Sequence, residues 1–291
     1  MKPAPFDYHR PDSAAEAAQM LADFGDDAKL LGGGQSLVPM LAMRLAFFDN
    51  LIDISRLEEM KGIRRDRNQL WIGGGTTHAV VGSDEQVRSS VPLLTRATPL
   101  IGHFQIRSRG TLGGSIAHAD PAAEYPAVAL ALDAEMEALS PSGVRRIRAA
   151  EFFSGVWETT MAPDEVLVGV RFPVWSGRCG FAVQEFARRH GDFAIAGAVV
   201  GVELGGDDVI RRCAIGLLAL SATPRRAAAA EAAVTGRPIG DVSAEELGEL
   251  AVAGLDDVPA DLQGSAEYRL RVGAAMVAQA WQAAAKEALD V

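Results

Sequence analysis

The hydrophobic and polar positions of this chain change rhythm along its length. Near the start, Ala14, Ala15, Ala17, Ala18, Met20, Leu21 and Ala22 form an alanine-rich helical run. Ser13 stands at its N-cap position with Glu16 three residues on, the layout of a capping box, and Gly25-Asp26-Asp27 ends it. Ala28 to Leu31 reads as a short buried strand that runs into Gly32-Gly33-Gly34-Gln35-Ser36. Leu37 to Leu45 reads as a helix and Asn50 to Ile54 as a second strand. Helix, strand, glycine loop, helix, strand is a small α/β unit.

Gln69 to Ile72 is another strand and leads into Gly73-Gly74-Gly75-Thr76-Thr77, which repeats the layout of the first loop. Asp84 to Val91 and Pro92 to Leu100 read as helices, followed by a second candidate phosphate loop, Thr111-Leu112-Gly113-Gly114-Ser115, and a helix from Pro121 to Leu132. Glu135 to Leu139 and Val144 to Arg148 flank Pro141-Ser142-Gly143 as a hairpin, and Val166 to Phe172 is a further strand. Beyond Pro173-Val174-Trp175-Ser176-Gly177 the texture changes. Gly180 to Arg188, Ala194 to Leu204 and Val209 to Leu220 are long strand patterns; helices over Pro224 to Thr235, Ala244 to Leu255 and Ala266 to Leu289 follow. The expected class is α+β, with a first domain over 1–176 (parts 1–55 and 56–176) and a second over 177–291. The second combines a three-stranded antiparallel sheet with a helical layer.

Composition narrows the function. The 291 residues carry 28 Lys and Arg against 38 Asp and Glu, a net charge of −10, which argues against nucleic acid as a partner. Arg64-Arg65 and Arg145-Arg146-Ile147-Arg148 read as strand-edge charge. Cys179 and Cys213 are too few for an iron–sulfur cluster and lack CxxC spacing, so buried free thiols in a reducing compartment are expected. No apolar run is long enough to span a membrane, and Met1 to Asp7 is not a signal peptide, so a cytoplasmic location is expected.

The candidate chemistry lies in the glycines. A phosphate touching backbone N–H groups leaves no room for Cβ atoms, and the loop needs φ > 0 at some positions. A following helix N-terminus adds positive potential. No lysine follows in the P-loop spacing, and a Rossmann fingerprint starting at Gly32 would place its third glycine at Leu37. Two separate glycine segments point to a dinucleotide held by another geometry. His118 and Asp120 have no third partner close in sequence for a metal, and His78 reads as a surface or supporting residue. Trp157, Trp175 and Trp281 read as core or interdomain anchors.

Gly32-Gly33-Gly34-Gln35-Ser36-Leu37-Val38-Pro39 with Arg44 behind it resembles the first flavin-binding motif of the molybdenum hydroxylase flavoprotein subunits, the family of xanthine dehydrogenase and carbon monoxide dehydrogenase. Ile72 to Thr77 resembles the second motif, and Ile106 to Glu124 the third. Arg188-Arg189-His190-Gly191-Asp192-Phe193-Ala194, Ala222 to Ala227 and Tyr268-Arg269 resemble further signatures in the same order. The resemblance implies the vanillyl-alcohol oxidase (PCMH) type of FAD-binding fold, non-covalent FAD, and no catalytic acid, base or nucleophile in this chain. It implies a large partner with the molybdenum cofactor, a small partner with two [2Fe–2S] clusters, a dimer of heterotrimers and an external electron acceptor. By motif match, Gly32, Gly33, Gly34, Gln35 and Ser36 with Thr111 to Ser115, Gly113 and Gly114 included, hold the diphosphate; Glu124 contacts FAD, Ile101 lies beside the cofactor, Asp192 and Phe193 lie near the flavin, and Leu31, Leu37 and Thr77 are further cofactor-binding positions. Glu124 replaces a usual aspartate, Phe193 a tyrosine of some members, and Gln184-Glu185-Phe186-Ala187 a stretch that in some members carries a lysine, whose role Arg188 or backbone dipoles would then take. The alternative is a self-sufficient flavin oxidase or reductase of the same fold.

Overall fold

The structure, a computed structural model, describes residues 2–291. The first part is β1 (Asp7–His9), α1 (Ala14–Phe24), β2 (Ala28–Leu31), α2 (Leu37–Ala42) and β3 (Asn50–Asp53). Its three strands pair in parallel in the order β1-β3-β2. Ser13 Oγ accepts the Glu16 N–H, as a capping box requires, but the Glu16 carboxylate reaches the N–H of Asp12 rather than that of Ser13. Ala14, Ala17, Ala18 and Leu21 of α1 are buried with Ile52 and Val166, so this unit packs on the next sheet.

That next part begins with β4 (Ile63–Asp66) and β5 (Gln69–Gly73). Then come α3 (His78–Ser83), α4 (Glu85–Ser90), α5 (Pro92–Ala97), α6 (Phe104–Arg107), α7 (Leu112–His118) and α8 (Glu124–Ala131). It ends with β6 (Glu135–Ser140), β7 (Gly143–Arg148), α9 (Ala149–Phe152), β8 (Phe153–Gly155), β9 (Glu158–Thr159) and β10 (Val166–Pro173). Five strands form an antiparallel sheet, β4-β5-β10-β6-β7. Four helices, α3, α6, α7 and α9, were not expected from the sequence. The expected helix from Pro121 starts instead at Glu124, after a turn in which Asp120 Oδ1 accepts the Ala122 N–H.

The last part comprises β11 (Arg178–Phe186), β12 (Ala196–Leu204), β13 (Ile210–Leu218), β14 (Arg225–Arg226), α10 (Ala228–Val234), α11 (Ala244–Val252) and α12 (Ala266–Asp290). The three long antiparallel strands are those expected; β14 adds a two-residue edge where the sequence pattern predicted a helix start. α12 lies on one face of this sheet and α8 on the other. All eight residues of α8 are buried, the condition under which a helix without an apolar stripe is stable. Glycines allow both approaches: a Cβ at Gly180 would sit 1.8 Å from the Ala284 carbonyl oxygen, and one at Gly216 2.7 Å from that of Ala127.

Trp175 and Trp281 are buried as expected. Trp157 is not an anchor: it is 59% exposed, has φ of 58°, stacks on His118 and donates to Asp120. Cys213 is a buried free thiol and Cys179 a half-buried one. The basic clusters lie on β4 and β7, where Arg64 covers the Trp71 ring and Arg145 pairs with Glu165. No described helix is long and apolar enough to cross a membrane.

Candidate functional site

The three glycines between β2 and α2 do different jobs. A Cβ at Gly33 would lie 2.1 Å from the Arg109 carbonyl oxygen, so this position lets the loop seat on the chain that enters α7. Gly34 has φ of 74°, which favours glycine. Gly32 faces Thr111 Oγ1, 3.5 Å from where a Cβ would be. Gln35 Nε2 donates to the Gly33 carbonyl at 2.9 Å and braces the turn. Among the described residues, the N–H groups of Gly32, Gly33, Gly34, Gln35 and Ser36 donate to no protein acceptor. Five consecutive unclaimed amides in a half-exposed turn beside a cleft are free to donate to an anion bound there. The cleft beside them has a volume of about 360 Å³. Leu31, Pro39, Asp53, Ser55, Ile106 and Arg109 also line it. Arg109 supplies the cation of this cleft, and the motif match, which assigns it no role, does not reveal it as a site residue.

The second glycine segment is not a loop. Thr111 is the N-cap of α7, its Oγ1 accepting the Gly114 N–H at 3.0 Å. The Leu112 and Gly113 amides donate to Thr76 and Gly74 carbonyls at 2.9 Å each. Gly113 is therefore a packing glycine: its Cβ would lie 2.7 Å from Gly74 Cα. The buried Thr111 hydroxyl lies against Gly32 of the first loop, with Gly114 exposed and Ser115 half-buried after it. The third glycine run, Gly73 to Gly75, also serves packing, since Cβ atoms at Gly73 and Gly74 would strike the Met60 and Leu167 carbonyls. Thr77 caps α3 and bridges to Thr111.

His78 is buried rather than on the surface. It donates through Nε2 to the Thr111 carbonyl at 2.8 Å and sits edge-on to Tyr125. Burial pulls it down to about 4, so it is neutral at neutral pH and fixes Thr111 without bringing charge. A buried supporting histidine leaves no periodic signal in the sequence.

The segment 101–111 forms one wall. Arg107 Nη1 donates to the Ile101 carbonyl at 3.1 Å and that of Gly102 at 2.8 Å, holding the turn before α6. Against this turn lies the 187–193 loop of the last part: a Cβ at Gly191 would be 2.8 Å from His103 Cε1. Ile101 is thus brought near Asp192 and Phe193, and Phe193 is 65% exposed. Arg188 is exposed and donates to the Leu262 carbonyl at 2.7 Å, so it is committed to the 257–265 loop. Glu124, at the start of α8, is 8% exposed and is pushed up to about 8 by burial first and by Glu185 second. The residues named from sequence fall into three groups: Leu31 to Leu37 with Thr77 and Thr111 to Ser115, Ile101 with Asp192 and Phe193, and Glu124 with Glu185. The 101–111 wall joins the first two, and the α7–α8 turn joins the first to the third.

A strand–turn–helix donor nest facing a capped helix start, closed by an antiparallel sheet domain, defines a class of flavin-binding subunits, and the chain belongs to it. Residues 4–175 match the family of FAD-binding domains in molybdopterin dehydrogenases, and residues 181–284 match the C-terminal domain of carbon monoxide dehydrogenase flavoproteins. The alpha subunit of the 6-hydroxypseudooxynicotine dehydrogenase complex of Paenarthrobacter nicotinovorans is 41% identical, over 95% of this chain and 93% of its own length. The carbon monoxide dehydrogenase medium chain of Hydrogenophaga pseudoflava is 35% identical over 98% of both. The solved carbon monoxide dehydrogenase from that organism superposes with a TM-score of 0.95 at 37% identity, over 99% of each chain. Quinoline 2-oxidoreductase from Pseudomonas putida 86 superposes with 0.93 at 35% identity, over 99% of this chain and 100% of that one.

The residues present fit FAD. The unclaimed amides suit a diphosphate, and the half-buried Ile101, in the turn against which the loop carrying the exposed Phe193 packs, suits an apolar ring.

Proposed function

We propose that this chain is the FAD-carrying electron-transfer subunit of a heterotrimeric molybdenum hydroxylase, with a large molybdopterin subunit and a small [2Fe–2S] subunit as partners. Bound FAD would supply the redox chemistry, taking electrons from the partner clusters and yielding them to an external acceptor. The protein's own residues bind and orient. The amides of Gly32 to Ser36 and the Thr111 hydroxyl would hold the diphosphate, flanked by Leu31, Leu37, Arg109 and Ser115. Thr77, Gly113 and Gly114 would keep the two walls in register. Ile101, Glu124, Asp192 and Phe193 would surround the ring, with Phe193 shielding it from water. FAD would be non-covalent, because Gln35 offers no nucleophile at the loop.

The units we assign are 1–176, with parts 1–55 and 56–176, and 177–291; the flavin ring would lie where they meet. A dimer of such heterotrimers in the cytoplasm is the assembly we expect. The observation that carries the reading is the run of five unclaimed amides in the turn whose Gly32 lies against Thr111. The test is to purify the chain with its genomic neighbours. A flavin spectrum released on denaturation, together with co-purifying molybdenum and iron–sulfur subunits, supports the reading. Oxidation of an organic substrate by the isolated chain at the rate of the complex would overturn it in favour of a self-sufficient oxidase.

A further inference from the structure

Tyr268 and Arg269 stand at the start of α12, where Ser265 Oγ accepts the Tyr268 N–H at 3.2 Å. Arg269 falls on the buried face of that helix, in line with Gly273, Met276 and Val277, and is only 3% exposed. Burying a guanidinium is costly, and an apolar side chain on that face would pack without the cost. What an apolar side chain cannot do is reach several acceptors at once, as a planar fork of donors does.

The acceptors of Arg269 lie on three separate segments. Nη1 donates to the Ile195 carbonyl at 2.6 Å and to the Ala219 carbonyl at 3.4 Å, and Nη2 donates to Asp261 Oδ1 and Oδ2 at 2.8 and 2.9 Å. Ile195 closes the 187–194 loop, because its N–H donates to the Phe186 carbonyl at 2.7 Å; the Phe186 ring in turn meets Tyr268 edge-on. Ala219 donates to the Pro121 carbonyl at 2.8 Å, in the turn before α8. Asp261 heads a turn closed on Gly264, and the Leu262 carbonyl in that turn accepts from Arg188 at 2.7 Å. The 187–194 loop is therefore gripped at its base by Arg269 directly, and at its front through Arg188, Leu262 and Asp261. Its outer end seats on the turn before α6, since a Cβ at Gly191 would lie 2.8 Å from His103 Cε1 and 3.2 Å from the Gly102 carbonyl carbon. Arg107 holds that turn through the Ile101 and Gly102 carbonyls, and Ile106 and Arg109 just beyond it line the cleft. The 257 end of the outer loop is pinned independently, by Ala222 N–H and Arg225 Nη2 donating to Asp257 Oδ2 at 3.3 and 3.2 Å.

We infer that Arg269 is the positioning residue for the flavin side of the site: its guanidinium sets the 187–194 loop, and with it Asp192 and Phe193, against the turn that carries Ile101. This rests on the proposed placement of the ring beside that turn. Arg269 acts through Ile195 and Asp261, so its loss should loosen one wall of the ring and leave the Gly32–Ser36 amides where they are.

Hydrogen exchange of the cofactor-free chain reads the loop directly. A lysine cannot span the Ile195 carbonyl and both Asp261 oxygens, and Asp261→Ala removes the outer anchor. In Arg269→Lys and in Asp261→Ala the 187–195 amides should exchange faster by about tenfold or more, in keeping with a lost charge-assisted bond, while the centres of β12 and β13 keep the parent rates. In the FAD-loaded chain, Phe193→Ala defines the change in the flavin visible spectrum that comes from uncovering the ring, and both variants should reproduce it. Unchanged exchange in the loop would overturn the inference. So would exchange that rises equally through β12, β13 and α12, which is what a merely structural arginine gives, or a spectrum moved by Phe193→Ala but by neither variant. Loop exchange that rises while none of the three substitutions moves the spectrum would instead overturn the placement of the ring beside the loop. Should Arg269→Lys not fold, Asp261→Ala decides, because the Asp261 side chain is 51% exposed and its removal opens no cavity in the core.

Discussion

Single alanine substitutions at Gly32, Gly33 and Gly34 should separate the three jobs of the first loop. A Cβ at Gly33 would be 2.1 Å from the Arg109 carbonyl oxygen. Carbon and oxygen settle at roughly 3.3 Å, so the loop and the 109–111 segment must part by about 1.2 Å. That overpacking costs about 1–3 kcal/mol, and it also pulls the amide nest away from Thr111. Each hydrogen bond to a charged phosphate contributes about 1.5–3 kcal/mol, so misplacing only two of the five amides weakens FAD binding by at least about a hundredfold. At Gly34 the cost is mainly that of holding alanine at φ of 74°, about 1–2 kcal/mol. Its Cβ would meet the movable Val38 and Leu31 side chains at 3.1 and 3.3 Å. Gly32→Ala meets only Thr111 Oγ1, at an ordinary 3.5 Å, so folding is untouched while the added methyl intrudes on the ligand. The assay pairs FAD affinity by fluorescence quenching with thermal unfolding of the cofactor-free chain. Gly33→Ala should lose most in both, Gly34→Ala less in both, and Gly32→Ala affinity alone. Parental affinity and stability in Gly33→Ala would refute the argument that this glycine joins the two walls.

His78 is a base whose pKa falls from 6.5 to about 4 on folding. Its contribution is therefore complete above 6.5 and lost as pH falls through about 4, amounting to about 3 kcal/mol; acid unfolding of His78→Gln should show that loss removed, and an unchanged acid limb would contradict it. Gln35→Ala removes only the brace to the Gly33 carbonyl, so FAD affinity should drop by about fivefold, well short of the Gly33 effect. At Gly180 a Cβ would overlap the Ala284 carbonyl oxygen at 1.8 Å, so Gly180→Ala should lift α12 from β11 and lower stability by about 3 kcal/mol, checked by urea unfolding.

Strong local signals in the sequence were sufficient for much of this fold. The alanine-rich α1, the hairpin β6–β7 and the three long strands of the last sheet lie where periodicity and turn residues put them. The glycine segments also lie where the site is, but their separate functions were hidden. Glycine for a positive φ, as at Gly34, looks in sequence the same as glycine for close approach, as at Gly33, Gly74 and Gly113, and only the partner backbone distinguishes them. Thr111 to Ser115 read as a loop because two glycines outweigh helix propensity locally, whereas the Thr111 cap and contacts to Thr76 and Gly74 hold it helical. The role of His78 depends on a contact with Thr111, far away in the chain, which no window of sequence displays. Trp157 was misplaced because a bulky aromatic usually anchors a core, and here it caps the end of α7 from outside.

The central claim is that the Gly32–Ser36 amides and Thr111 grip a diphosphate. Competition between FAD and riboflavin for the cofactor-free chain tests it most directly, because the two share the ring and differ in everything the loop is said to hold. Riboflavin should fail to displace FAD even at about a thousandfold excess, in keeping with the loss of several charge-assisted hydrogen bonds. Riboflavin binding as tightly as FAD would contradict the account.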